Sequence, residues 1–252
     1  MVWSCLVSIL PGMAQTEKLT DYVNPFVGTD GYGNVYPGAQ IPFGGIQISP
    51  DTDSRFYDAA SGYKYNHLTL MGFSLTHLSG TGIPDLGDFL FIPGTGEMKL
   101  EPGTHEDPDQ GYRSRYSHDK EWASPNYYAV ELADYGVKAE MTSGVRSGMF
   151  RFTYPESDNA FIMIDMNHTL WQSCEWSNLR MINDSTITGY KLVKGWGPER
   201  HVYFTATFSK KLTGLRFVQD KKPVIYNTSR FRSSYEAWGK NLMACISFDT
   251  KA

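Results

Sequence analysis

Met149-Phe150-Arg151-Phe152-Thr153-Tyr154 carries an aromatic ring at every second position, with Arg151 and Thr153 between them. Successive side chains of a strand point to opposite faces, so Phe150, Phe152 and Tyr154 share one face and the polar pair the other. The stretch reads as a half-buried strand, and its neighbours read the same way. Upstream, Asp88-Phe89-Leu90-Phe91-Ile92 stops at Pro93-Gly94, and Tyr127-Tyr128-Ala129-Val130-Glu131-Leu132 turns at Asp134-Tyr135-Gly136 into Val137-Lys138-Ala139-Glu140-Met141. Downstream come strand-like runs at Phe161-Ile164, Thr186-Leu192, His201-Phe208, Leu215-Gln219, Val224-Tyr226 and Leu242-Phe248. Many short strands without alternating helices predict an all-β protein, an antiparallel β-sandwich of two large sheets with few short helices. The helical candidates are a turn near Asn66-Leu70 and the stretch Ser233-Asn241.

Length and composition agree with one large domain or two small ones: 252 residues, 41% hydrophobic and 20% charged, are enough for a full core. A formal net charge of -4 supplies no basic field for a phosphate backbone, which argues against nucleic-acid binding. The aromatic share of 14% suits stacking on sugar rings, and equally suits cross-strand packing in a β-protein.

Residues 1–14 form a short apolar run ending in small residues, followed by polar Thr16-Glu17-Lys18. They read as the tail of a secretory signal with cleavage after Ala14, although a positive leading segment is missing; an N-terminal strand or tail is the alternative. Residues 15–252 then form the sandwich domain, in an exported, periplasmic, cell-surface or secreted protein. No other run is long enough to span a bilayer. Removal of the signal takes Cys5 and leaves Cys174 and Cys245, which an oxidising compartment would allow to pair. No Cys-x-x-Cys or His-x-x-x-His spacing marks a zinc site.

The stretch from Asn24 to Asp88 is different in kind: glycines, prolines, amides, aromatics and carboxylates crowd together without periodicity, as expected of a loop-rich binding surface on a rigid scaffold. Gly28-Thr29-Asp30-Gly31-Tyr32-Gly33 lacks the spacing and following helix of a dinucleotide loop. His77, Asp85 and Asp88 stand close together among Gly80, Gly82, Pro84 and Gly87 and leave three readings open. The carboxylates cap turns and accept from backbone amides; or they and the imidazole hydrogen-bond sugar hydroxyls; or they form a catalytic pair about 5 to 9.5 Å apart, or part of a hard-cation site.

Asn24-Pro25-Phe26-Val27-Gly28-Thr29, Tyr36-Pro37-Gly38-Ala39, Ile41-Pro42-Phe43-Gly44, Gln47-Ile48-Ser49-Pro50-Asp51-Thr52, Ser61-Gly62-Tyr63 and Thr76-His77-Leu78-Ser79-Gly80-Thr81-Gly82, followed by Gly87-Asp88, together resemble the N-terminal domain of glycoside hydrolase family 92, the calcium-dependent exo-α-mannosidases. The similarity continues through Ser124-Pro125-Asn126-Tyr127-Tyr128, Gly195-Trp196 and Val202-Tyr203-Phe204. The resemblance implies a β-sandwich that packs on a helical (α/α)6 barrel with the active site between them. The sandwich would supply contacts to a mannose-containing glycan, and the barrel the general acid, the base and the Ca2+ ligands. The chain ends at Asp249-Thr250-Lys251-Ala252 before any barrel helix, so the resemblance implies no catalytic residue and no metal ligand within it. Members commonly carry a tryptophan and an aspartate shortly before Ser-Gly-Tyr; Tyr57-Asp58 takes that place here, the tyrosine as a platform beside the mannose. His77 and Asp88 match positions near the domain interface, as sugar contacts or as loop supports. The expected substrate-binding set is therefore Tyr57, Asp58, His77 and Asp88. A standalone carbohydrate-binding module and a self-sufficient hydrolase using Asp85 and Asp88 are the rival readings.

Overall fold

Residues 17–54, 57–225 and 235–251 are described by the structure, a computed structural model. The signal-like stretch 1–14 and Cys5 lie outside them. The first strands come from the motif-rich segment: β1 (Ala39–Gln40), β2 (Gln47–Asp51), β3 (Thr69–Leu70), β4 (Gly72–Ser74) and β5 (Leu90–Thr95). Then follow β6 (Ser114–Arg115), β7 (Glu121–Ser124), β8 (Tyr127–Leu132), β9 (Val137–Ser143), β10 (Gly148–Thr153) and β11 (Ala160–Asp165). The last third supplies β12 (Ser173–Asn183), β13 (Thr186–Lys194), β14 (Arg200–Thr207), β15 (Gly214–Gln219), β16 (Lys222–Pro223), β17 (Glu236–Gly239) and β18 (Leu242–Phe248). Helix among the described residues is limited to short 3-10 turns, such as Leu19–Tyr22 and Tyr57–Ala59.

An eight-stranded antiparallel sheet, β1-β2-β4-β5-β11-β18-β15-β16, forms the base. Two four-stranded sheets, β10-β9-β8-β7 and β14-β13-β12-β17, cover one of its faces side by side. The alternation in β10 explains how they meet. Phe150 and Phe152 are partly buried and reach both halves of the core, while Arg151 faces out to pair with Glu140. Phe91 of the large sheet lies under the junction, 5.2 Å from the Phe150 ring and 6.0 Å from that of Phe204. Inward-facing side chains from both layers thus interdigitate as a sandwich requires. On the opposite face of the large sheet, Leu90, Ile92, Phe161 and Met163 are covered by Leu100 and Tyr112 from the long connection after β5.

Some sequence expectations change. The Asn66-Leu70 helix is a turn followed by β3, and Glu236–Gly239 of the second helical candidate is strand β17, with its first residues outside the described set. Both stretches are recruited by neighbours, Thr69 pairing with Arg115 and Ala237 with Leu179, so tertiary pairing overrides local preference. Pro93-Gly94 does not end its strand: β5 runs through to Thr95, because β4 pairs with it only at Phe91 and needs no donor from Pro93. Val224 falls just beyond β16, and Tyr226 lies outside the described residues. Cys174 and Cys245 are both buried free thiols on strands of different sheets, so the pairing that export would allow is not formed.

Candidate functional site

Four connections converge: those after β2 (52–68), β4 (75–89), β11 (166–172) and β13 (195–199). Backbone and side-chain hydrogen bonds lock them together. Leu170 N donates to Leu86 O at 2.9 Å, Gln172 Nε2 to Pro84 O at 3.0 Å, and Trp196 N to Asp85 Oδ2 at 3.0 Å. Gly87 permits the closest of these approaches. Its φ is +73°, and a Cβ there would stand 2.7 Å from Leu170 Cγ.

Beneath the loops runs a line of buried charges. His77 places Nδ1 2.7 Å from Gln47 O and Nε2 2.7 Å from Asp51 Oδ1. The other oxygen of Asp51 lies 2.7 Å from His168 Nε2. Burial alone would raise the Asp51 carboxyl; the charge of His77 and the hydrogen bonds from His168 and His77 outweigh it and hold the group well below the ordinary carboxylate range. His168 O in turn accepts from Lys191 Nζ at 2.6 Å, and the same ammonium pairs with Asp88 Oδ1 at 3.1 Å. Arg200 Nη1 and Thr76 Oγ1 donate to the second Asp88 oxygen. Against the burial that would raise it, Lys191 and Arg200 keep the Asp88 carboxyl below its usual value. Gly62 fits this arrangement by necessity: φ is +85°, and a Cβ would lie 2.2 Å from Asp51 Oδ1.

Above the line, Tyr57 and Trp171 stand at the surface, 52% and 59% exposed, with their rings edge to face at 5.4 Å. Trp171 forms part of the wall of a cavity of about 900 Å³. Met71, Val218 and Met243 give it an apolar floor, and Ser54, Tyr112, Asp165, Asn167, Thr169 and Gln172 give it hydroxyl, carboxyl and amide groups. Burial pushes the Asp165 carboxyl up, only partly offset by His168 and by the Asn167 amide. An apolar floor with a few convergent polar groups is the usual constitution of a small-ligand site, and hydroxyl-rich ligands match these donors and acceptors.

The sequence-derived residues are thus separated by depth. Tyr57 is exposed beside Trp171 without itself lining the cavity, and Asp58 shares its turn, with a side chain outside the described set. His77 and Asp88, 3% and 0% exposed, lie below and line no part of the cavity. Asp85 accepts from Leu86 N at 2.6 Å and from Trp196 N, fixing two backbone segments. Sequence reasoning missed Trp171, His168, Lys191 and Arg200. Lys191 alone left a signal, since it interrupts the inward series Ile187, Gly189, Val193 of β13 with a charge that must find a buried partner.

The model of the glycosyl hydrolase family 92 N-terminal domain matches residues 22–252. The chain belongs to that family. A solved glycosyl hydrolase of family 92, ccman5, superposes with a TM-score of 0.75 at 27% identity, over 91% of this chain and 30% of that one. An uncharacterized secreted glycosidase of Arthroderma benhamiae is 30% identical over 139 residues, 54% of this chain and 17% of the relative. This family 92 N-terminal domain therefore spans less than a third of the length of either relative. Among its described residues no helix is long and apolar enough to cross a membrane. No group of three or more His, Cys, Asp or Glu among the described residues could hold a metal, and the buried carboxylates Asp51 and Asp88 are already neutralised by cationic or imidazole partners.

Proposed function

We propose that the chain is the substrate-shaping half of an exported α-mannosidase, acting on terminal α-linked mannose of glycans together with a helical catalytic domain. The observation that carries this reading is the exposed Tyr57–Trp171 ring pair beside the polar-walled cavity that Trp171 lines, in a chain that belongs to family 92. A pyranose offers an apolar face to a flat ring and hydroxyls to its surroundings, so an aromatic rim with polar walls selects such a ligand. The chain's own residues bind and orient. Tyr57 supplies the platform, and Asp51, His77, His168, Lys191, Asp88 and Arg200 hold the loops that present it. The acid, the base and the Ca2+ ligands belong, on this reading, to the helical domain.

The committed state of the carboxylates supports the division of labour. Asp85 is engaged by backbone amides and Asp88 by Lys191, Arg200 and Thr76, whereas a glycosidase pair must hold a proton and a water at the scissile bond. The isolated 252-residue chain is accordingly expected to hydrolyse no aryl α-mannoside, with or without calcium. Turnover above a blank that disappears in Asp85→Asn or Asp88→Asn would instead establish the self-sufficient hydrolase. Free mannose should bind the chain in the millimolar range or weaker, about -4 kcal/mol at most, since half a cleft buries half a ligand. Micromolar affinity by calorimetry would favour the standalone module.

A further inference from the structure

The outer face of the β17-β12-β13-β14 sheet carries a second aromatic surface that the loop site does not use. Trp238, Asn178, Tyr190 and Tyr203 stand directly opposite one another on four successive strands. Trp238 is 54% exposed and Tyr203 70%. Together with Thr188 and Thr205 they line a shallow groove of about 410 Å³. The row is held in place. Asn178 Nδ2 donates to Glu236 Oε1 and to Ala237 O, both at 3.1 Å. Tyr190 OH is hydrogen-bonded to His201 Nδ1 at 2.9 Å, and the far nitrogen of that ring to Glu199 at 2.9 Å.

Leaving large rings in water across a sheet forgoes burial that aromatic side chains normally obtain, so the row calls for an occupant. Adjacent strands lie about 4.8 Å apart, so the four positions, three of them rings, extend over about 14 Å, an elongated platform. We propose that this face binds a neutral polysaccharide, with pyranose rings stacked on Trp238 and Tyr203 and hydroxyls hydrogen-bonded to Asn178 and the two threonines. Two other classes of occupant fit the chemistry less well. Single-stranded nucleic acid stacks on aromatics in a basic groove, and the chain has a net charge of -4. The centre of a protein interface is depleted in charge, yet the next row of this face is Arg180 and Glu236. The inference takes only its ligand class from the proposed function, and it adds a site on a different part of the sandwich.

Native affinity electrophoresis of the chain in gels containing soluble α-mannan, or soluble β-glucan, tests it. Retardation in at least one gel is expected, falling at least tenfold in apparent affinity in Trp238→Ala/Tyr203→Ala with an unchanged melting temperature. Tyr203→Ala alone should weaken it in the same direction, and Trp238→Phe, which keeps a flat ring, should retain most of it. Arg151→Ala, an exposed residue of the other four-stranded sheet, should not alter it, and because the readout is the dependence on Trp238 and Tyr203, loss of the loop-site reading would leave this result intact. Retardation by β-glucan alone would keep the face as a polysaccharide site while separating it from mannose. Absence of retardation in both gels overturns the proposal. So does retardation indifferent to Trp238 and Tyr203, or a dimer of the chain that Trp238→Ala dissociates.

Discussion

Two levels of the loop region follow opposite rules. Below the surface, Asp51, Lys191 and Asp88 are fully enclosed and each charge is matched within hydrogen-bond or ion-pair distance. At the surface, Tyr57 and Trp171 keep more than half of their area in water and meet edge to face. A charge moved from water into a protein demands a partner, so the lower level is fixed by mutual necessity. An exposed ring demands nothing from the fold and is free to be chosen for a ligand. Substitutions in the lower level should therefore read out as stability, and those at the rim as function.

The sharpest break of that contrast is Asp88→Asn. It leaves Lys191 and Arg200 facing a neutral amide, and chemical unfolding should show a loss of about 3–5 kcal/mol, as for other buried pairs deprived of one partner. A loss under about 1 kcal/mol would mean the line is dispensable. Next comes Tyr57→Ala in the enzyme that joins this sandwich to its helical domain, where kcat/KM for an α-mannoside should fall ten- to a hundredfold, about 1.4 to 2.7 kcal/mol of transition-state stabilisation. Its unfolding free energy should move by no more than about 0.5 kcal/mol, because the ring is half exposed. Tyr57→Trp should keep most of the activity, and unchanged kinetics in a folded Tyr57→Ala enzyme would remove Tyr57 from the site.

A smaller effect concerns pH. Asp51 and Asp88 both have folded-state values below those of free carboxyls. Their stabilisation is then complete above the ordinary carboxyl range, about pH 4, and is lost as pH falls toward the folded values. Each proton taken up steepens the acid limb by at most about 1.4 kcal/mol per pH unit. Asp51→Asn should flatten that limb in urea titrations between pH 5 and 2, and an identical slope in the variant would assign the acid sensitivity elsewhere. Smallest of all is Arg151→Ala. Arg151 is itself mostly exposed, and Glu140, though enclosed, keeps Tyr127 and Lys138 as partners, so the melting temperature should stay within measurement scatter. A measurable drop would show that burial is not what separates the two levels.

The legibility of the chain follows the same division. The hairpin of β8 and β9 was readable to the residue at its start and turn, because Tyr127–Leu132 is a short run of strand-forming residues and Gly136, at φ +64°, closes a turn on Leu132 O. The eleven-residue β12 went unread: Glu175, Asn178 and Arg180 break its apolar pattern, and its identity as a strand comes from β13 on one side and β17 on the other. Tyr57 stands out in the sequence through its place before Ser61-Gly62-Tyr63, and the structure adds that it is exposed. Trp171, its partner across a gap of more than a hundred residues, does not stand out.

What the sequence determined by itself was whatever depends on near neighbours or on motif order: the alternating strands, the turn glycines, the all-β class and the resemblance that the family comparison confirms. Only the tertiary structure decided which polar residues lie in water and which lie in the core. His77, Asp85 and Asp88 look alike in the sequence, but Asp88 meets Lys191 and Arg200, Asp85 meets the Trp196 amide, and His77 meets Asp51. The physical reason is that a side chain's desolvation and charge pairing are set by segments distant in the chain, which no local pattern encodes.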